Sequence, residues 1–425
     1  MNATDFDLLI VGGGMAGASL ACALHDVPLR VGVLEAVPLA ADEQPSFDAR
    51  AIALAEGSRR ILAAMGVWEG IARRGATAIR HIHVSERGGF GVTRLAAADE
   101  GVDALGHVVE SRVLGGALME AVADLPHSRF ISPARLIGLT VDAEAATVRV
   151  ETEQGERDLT ARLVVAADGG RSTVRQQIGA RSWRLGYGQT AIIATVLGSR
   201  PHGGVAFERF TDSGPLALLP CNPAVDGAEA GWGDRRWSLV WTVRDSQVEE
   251  VMALDAPAFL ARLQARFGGR AGRFEQLGGR HAYPLGLEYV RDHVRPRIVF
   301  IGNAAHTIHP VAGQGFNLGL RDVAALAEVL AGAVAAGRDP GGMEVLGGYA
   351  AWRRPDYLRV MGMTDSLARL FSNRLPLLRA ARNLGLLGMD LLPGARHRLA
   401  RQAMGLTGRL PRLARGLPLT GRDVR

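Results

Sequence analysis

Apolar positions in this chain come in short runs punctuated by glycine, and the runs change character along its length. Asp7–Val11 is mainly apolar and ends in Gly12-Gly13-Gly14, which predicts a buried parallel strand. Met15–His25 has small and apolar residues without proline and predicts a helix; Leu29–Glu35 predicts a second strand that ends on an acid. Together they make a βαβ unit of about 30 residues. Ser58–Met65 and Leu114–Ala123 carry helical spacing. Thr147–Glu151 and Glu156–Thr160 predict a hairpin around Gly155, and Leu163–Ala167 a strand running into Asp168-Gly169-Gly170. From Gly186 to Tyr283 the runs turn strand-like: Thr190–Leu197, Val205–Phe210, Leu216–Leu219 and Trp237–Val243, with one helix near Pro257–Phe267. Arg297–Ile301 returns to a buried-strand pattern and Gly315–Ala336 is helical. The remainder predicts helix, broken at Pro355, Pro376 and Pro393.

The expected architecture is therefore α/β and interleaved. A Rossmann-type nucleotide-binding domain draws on residues 1–80, 105–182 and 285–340. A mostly antiparallel β-sheet domain for the substrate, residues 81–104 and 183–284, is inserted into it. A helical C-terminal segment, 341–425, closes the chain.

Composition removes several chemistries. All 49 basic residues are arginine, so a Schiff-base lysine and a P-loop are excluded. Two cysteines, Cys22 and Cys221, make no disulfide framework. With no basic leader over Met1–Asp7, they lead us to expect a cytoplasmic setting. No apolar run predicts a membrane span. The net charge is +6.

Gly12-x-Gly14-x-x-Gly17 follows the first strand and opens the helix. The first glycine allows the tight turn, the second lets backbone approach a pyrophosphate, and the third lets helix and strand pack closely. Glu35 stands where a carboxylate can accept from a ribose. This unit alone leaves NAD and FAD open.

Two further segments narrow that choice by resemblance. Val164–Ser172, containing Asp168-Gly169-Gly170, resembles the strand-Asp-Gly element of the flavoprotein aromatic hydroxylases. Gly302-Asn303-Ala304-Ala305-His306-x-x-x-Pro310, leading to Gly313-Gln314-Gly315-Phe316-Asn317, resembles their second FAD-binding element. Phe47–Leu54, His83–Gly88, Phe207–Phe210, Gly214–Pro220, Ser238–Trp241, Ala282–Leu285 and Thr364–Leu367 resemble the hydroxylases of ubiquinone biosynthesis, closest to the 2-polyprenyl-6-methoxyphenol hydroxylase branch. The resemblance weakens beyond about residue 400.

The resemblance implies FAD, held by Gly12, Gly14, Ala16, Gly17, Glu35, Arg50, Arg112, Asp168, Gly169, Gly302, Asn303, Gly313, Gly315 and Asn317. Asn303 departs from the wider family's Asp. Asp168 suits a helix cap as well as a ligand. The implied reaction is hydroxylation of a prenylated phenol ring through a flavin C4a-hydroperoxide, with NADH or NADPH and O2 as co-substrates. A non-catalytic FAD-binding scaffold of a quinone-biosynthesis complex and a prenyl reductase are the alternatives. His306 and His309 are weak acid–base candidates whose spacing suits one helical face; no third ligand accompanies them, so no metal is expected. A prenylated substrate implies peripheral contact with the inner membrane. Between Leu399 and Arg415, apolar positions (Met404, Leu406, Leu410, Leu413) alternate with Arg401, Arg409 and Arg412, a pattern that suits an amphipathic lipid-facing segment or a solvated tail.

Overall fold

The computed structural model describes residues 4–38, 50–223, 229–309, 313–372 and 376–420. The first sheet has at its heart four parallel strands: Ile298–Phe300, Gly155–Ala166, Phe6–Val11 and Val31–Leu34, in that spatial order. Ser128–Ile131 continues the parallel run beyond Val31–Leu34. Val294–Arg295, Ala134–Val141 and Ala146–Thr152 add antiparallel pairings. The central strands read as nearly unbroken apolar runs because both faces are covered. On one face, Leu8, Ile10, Leu163 and Val165 pack with helices Met15–Ala23 and Gln314–Ala335; on the other, Leu9, Val164 and Phe300 form a second core.

The expected hairpin is present, but its second strand continues to Ala166 without a break. One strand thus serves an antiparallel hairpin at its start and the parallel sheet at its end.

The second sheet has eight strands, led in space by His306–Thr307, Phe274–Val290, Ser182–Gly198, Arg236–Arg244, Gly214–Pro220 and Val205–Thr211, and ending in His81–Glu86 and Val92–Ala96. All its pairs are antiparallel except Val205–Thr211 with His81–Glu86. The expected domain limit at 284/285 falls inside the strand Phe274–Val290. Helix Ala256–Phe267 packs Phe259, Leu263 and Phe267 on one face of this sheet, against Trp237, Leu239 and Trp241. Alternation leaves Ser238, Val240 and Thr242 on the other face. A third sheet, of Ala51–Ala55, Gly106–Glu110 and Thr77–Ile79, was not legible as such in the sequence.

Two expectations for the C-terminal segment fail. Met343–Ser372 is one helix with Pro355 inside it. The missing amide costs one bond, but buried Trp352, Tyr357 and Val360 and the anchored Arg353 hold the helix on both sides of it. The stretch 399–415 does not present an apolar face outward. Met404 and Leu406 pack with Leu95 and Leu105, and Leu413 joins the main core. Among the described residues, no helix is long and apolar enough to cross a membrane.

Candidate cofactor and substrate site

The predicted motifs converge because of topology. Gly12, Glu35, Asp168 and Gly302 each follow the carboxyl end of one of the four adjacent parallel strands, the edge where open α/β sheets bind ligands.

At the first strand, Gly12 has a φ of 104° and Gly17 packs tightest: a Cβ there would lie 1.8 Å from the Gly12 carbonyl oxygen. Gly14 caps helix Met15–Ala23 with no side chain bonded to the first turn, which leaves the leading amides for an anion. Ala16, in that turn, lies against Gly302. Glu35 Oε2 accepts from the Gly13 amide at 2.8 Å and Oε1 from Val37 at 3.1 Å. An ionised carboxylate retains lone pairs beyond these two for a ribose hydroxyl.

Asp168 does cap a helix. Its Oδ2 accepts from the amides of Thr173 (2.6 Å) and Val174 (3.2 Å) at the start of Thr173–Gln177. Its Oδ1 is buried without a hydrogen-bond partner, and burial raises the carboxyl above its ordinary range. A buried orphan acceptor at this edge fits a polar ligand that donates to it. A Cβ on Gly169 or Gly315 would meet nothing within 4 Å, so the backbone at both positions is open to close approach.

Gly302–Ala304 forms a short turn in which Asn303 is exposed. Pro310 lies outside the described residues, as do Phe47–Ala49 of the Phe47–Leu54 segment. Gly313 precedes helix Gln314–Ala335, whose first turn has no side-chain cap. Asn317 is buried and fully engaged. Its Nδ2 donates to the carbonyls of Ala53 (2.8 Å) and Gly313 (2.7 Å), and its Oδ1 accepts from the Ala55 amide (2.8 Å). It therefore acts by fastening this turn to strand Ala51–Ala55. Arg50, just before that strand, stacks its guanidinium 4.7 Å above the ring of Tyr283. Arg112 is about half exposed and pairs with the buried Glu110, which also holds buried Arg236 at 2.9 Å.

The two histidines do not share a helical face, since His306 lies in the two-residue strand His306–Thr307. Both are buried. His306 Nε2 is 2.7 Å from Asp322 Oδ2. His309 packs edge-on to Tyr187, and burial brings it down to about 4, which keeps it neutral.

Two further residues matter that the sequence did not single out. Asp322 is fully buried on helix Gln314–Ala335. Its Oδ2 accepts from the Gly302 amide (3.1 Å) as well as His306; its Oδ1 accepts from Arg353 Nε (2.8 Å) and the Tyr357 hydroxyl (2.8 Å). Burial alone would raise this carboxyl, but Arg353, His306 and the hydroxyl outweigh it and hold the group well below the usual carboxylate range. An acid inside an apolar helical run was the available signal.

Glu208 lies on strand Val205–Thr211, on the same face as Ala206. Ala206 and Leu219 pack with Ala51 and Ala53, so this face of the large sheet is turned toward the strand that Asn317 fastens. Register extends the face from Glu208 through Ala217, Val240 and Ile193 to His281. The row offers a mostly apolar floor with one carboxyl. Burial pushes that carboxyl up to about 7, and it has no hydrogen-bonded or charged partner among the described residues.

Residues 5–361 match the family described as FAD binding domain. The chain belongs to this FAD-binding family. Within it, the ubiquinone hydroxylase UbiL of Rhodospirillum rubrum is 39% identical, over 97% of this chain and 93% of its own length. The 3-demethoxyubiquinol 3-hydroxylase of Escherichia coli is 32% identical, over 94% of this chain and 98% of its own. The p-nitrophenol 4-monooxygenase PnpA of Pseudomonas putida superposes with a TM-score of 0.77 at 20% identity, covering 95% of this chain and 98% of its own, a likeness of fold. The family member described here carries the ubiquinone-hydroxylase type of sequence from one end to nearly the other.

Proposed function

We propose that this protein is an NAD(P)H-dependent flavin monooxygenase that hydroxylates the aromatic ring of a prenylated phenol in ubiquinone biosynthesis. One observation carries the reading beyond family membership. The turn Gly313–Asn317 is fastened to strand Ala51–Ala55, and that strand faces an apolar sheet floor whose one desolvated carboxyl is Glu208.

The residues present fit FAD. Helix Met15–Ala23 leaves its leading amides uncapped for the pyrophosphate, Gly12 and Gly17 allow the tight turn and close packing that present them, Glu35 keeps lone pairs for a ribose, and the orphan Oδ1 of Asp168 awaits a donor. Bound there, FAD supplies the redox chemistry that activates O2 for transfer to the ring. The chain's own contribution is placement and dryness. The uncapped start of helix Gln314–Ala335 directs its partial positive charge at the flavin turn. The floor of Ala217, Val240 and Ile193 keeps water from the ring. Glu208 Oε accepts the phenolic proton; a carboxyl near 7 is well matched to that task. A prenyl tail makes the substrate a bilayer component, so the enzyme meets the membrane at its surface, and a larger quinone-biosynthesis complex is compatible with that position.

The test uses FAD-loaded protein with NADH or NADPH and a short-chain prenylphenol. A hydroxylated product by mass spectrometry supports the reading. Reduction of flavin with only hydrogen peroxide as product, for every phenol tried, overturns it in favour of a scaffold; saturation of a prenyl chain would make it a reductase. Glu208→Gln should keep FAD and lower kcat by about 10²-fold, the usual scale for a lost general base.

A further inference from the structure

Helix Pro376–Leu391 is amphipathic with its polarity inverted. A surface helix of a water-soluble protein buries its apolar stripe and exposes its charges. Here the buried residues are Arg382 and Asn383, while Leu377, Leu384 and Leu391 are 82%, 61% and 68% exposed. Those leucines repeat every seven positions and so share one face. Ala380, Ala381 and Gly385 are exposed with them, and Leu392, 61% exposed, follows at the end.

The inward face is well anchored, so the leucines point outward by construction. Asn383 accepts from the Gly91 amide at 2.8 Å and donates to Glu86 at 2.6 Å. Arg382 pairs with Glu86, which is itself buried. Asp390 accepts from the Arg94 amide at 2.8 Å, and Thr93 donates to the Leu386 carbonyl at 2.7 Å. Turning the helix over would bury the leucines against these strands and strand every one of those polar groups. Phe90, in the turn beside Asn383, is 65% exposed and adds an aromatic ring to the same corner.

Charge identifies the occupant. Between residues 369 and 401, seven arginines stand against Asp390 alone, a net of +6, and although Arg369, Arg382 and Arg396 pair with Asp365, Glu86 and Asp99 outside the stretch, the excess is local. The remainder of the protein is balanced. Arg379, Arg398 and Arg401 are exposed in this stretch. An apolar ridge bordered by exposed arginines matches a surface of hydrocarbon beneath anionic headgroups. We propose that helix Pro376–Leu391 is a monotopic membrane contact that seats its leucines in the interface of an anionic bilayer. It docks on His81–Glu86 and Val92–Ala96, the edge of the sheet whose other strands form the substrate floor, so the contact brings that sheet to the lipid from which a prenylated ring would come. This inference rests on the prenylphenol reading for its purpose, but not for its physical basis.

The test is co-sedimentation of the full-length, FAD-loaded protein with phosphatidylcholine vesicles containing phosphatidylglycerol, against phosphatidylcholine alone. The protein should bind the anionic vesicles, and more weakly in high salt. The triple variant Leu377→Gln/Leu384→Gln/Leu391→Gln should lose about 1,000-fold in partitioning, since each exposed leucine contributes about tenfold. Its turnover of a water-soluble short-chain phenol should be unchanged. Arg398→Gln/Arg401→Gln should weaken binding only at low salt. Equal binding by the triple variant overturns the proposal, as does a wild-type dimer that the triple variant dissolves without any vesicle binding. Vesicle binding without hydroxylation would leave this contact standing and remove the proposed reaction.

Discussion

Replacing Asp322 by asparagine offers a sharp test of how the turn at Gly302 is held. The substitution keeps shape and removes charge. In the wild type, four donors converge on this carboxylate: the Gly302 amide, His306, Arg353 and the Tyr357 hydroxyl. An amide offers one oxygen, so two of the four would face an NH2 group. Arg353 is itself buried, and its other carboxylate partner, Asp356, is shared with Arg321. Leaving one member of a buried pair alone costs about 3–5 kcal/mol. Unfolding entropy of about 2 cal/mol/K per residue then converts this to a fall in Tm of roughly 3–6 °C for a chain of this size. The assay is differential scanning fluorimetry at neutral pH, with flavin retention measured on the same sample. FAD should dissociate more readily, because Gly302 opens the turn that carries Asn303. The folded carboxyl lies below its unfolded value of 3.8, so its contribution is complete above about pH 4 and is lost as pH falls further. The gap between variant and wild type should therefore narrow only in acid. Asp322→Asn/Arg353→Leu should recover part of the loss. A Tm within 1 °C of wild type at pH 7, with flavin fully retained, would refute the reasoning.

Other outcomes follow from the same structure. Gly17→Val should give protein that purifies without flavin absorbance, because even a Cβ would lie 1.8 Å from the Gly12 carbonyl oxygen. Three buried histidines, His83, His293 and His309, and the partly buried His107 are each brought by burial to about 4. The unfolded chain binds more protons than the folded one between there and 6.5, so stability should drop as pH falls through that window, by up to about 1.4 kcal/mol per histidine per pH unit; a flat unfolding midpoint from pH 7 to 5 would contradict it. In wild-type enzyme the hydroxylation rate should rise with pH around 7 as Glu208 loses its proton, and Glu208→Gln should lack that dependence in stopped-flow single turnovers.

The parts legible in the sequence were those set by local spacing. The strand, glycines, helix and acid from Asp7 to Glu35 lie within one supersecondary unit, so their order alone implied their geometry. What stayed hidden depends on pairing at a distance. Glu208 pairs with Ala217 across a local hairpin, but its place in the sheet also depends on register with His81–Glu86, which lies far earlier in the sequence. Asp322 matters because Gly302, Arg353 and Tyr357 reach it from separate segments. The C-terminal helices illustrate a further limit. Periodicity reveals that a helix has two unlike faces but not which one the fold covers. Around Leu399–Arg415 the apolar side turned inward; in Pro376–Leu391 it turned outward, because Glu86 and the turn at Gly91 supply partners for Arg382 and Asn383.

The strand Gly155–Ala166 lies between Phe6–Val11 and Ile298–Phe300, and Ile301 donates to the Ala166 carbonyl. During synthesis, one edge of this central strand must therefore wait for more than 130 further residues before its partner emerges from the ribosome. Until then the nascent chain presents an apolar, unpaired β edge, the kind of surface that recruits other strands. Truncations ending before residue 298 should be captured by chaperones or aggregate, while a break in a later surface turn should be tolerated. The interleaving that lets four separate segments meet at one edge of the first sheet thus defers closure of that sheet until most of the protein has been made.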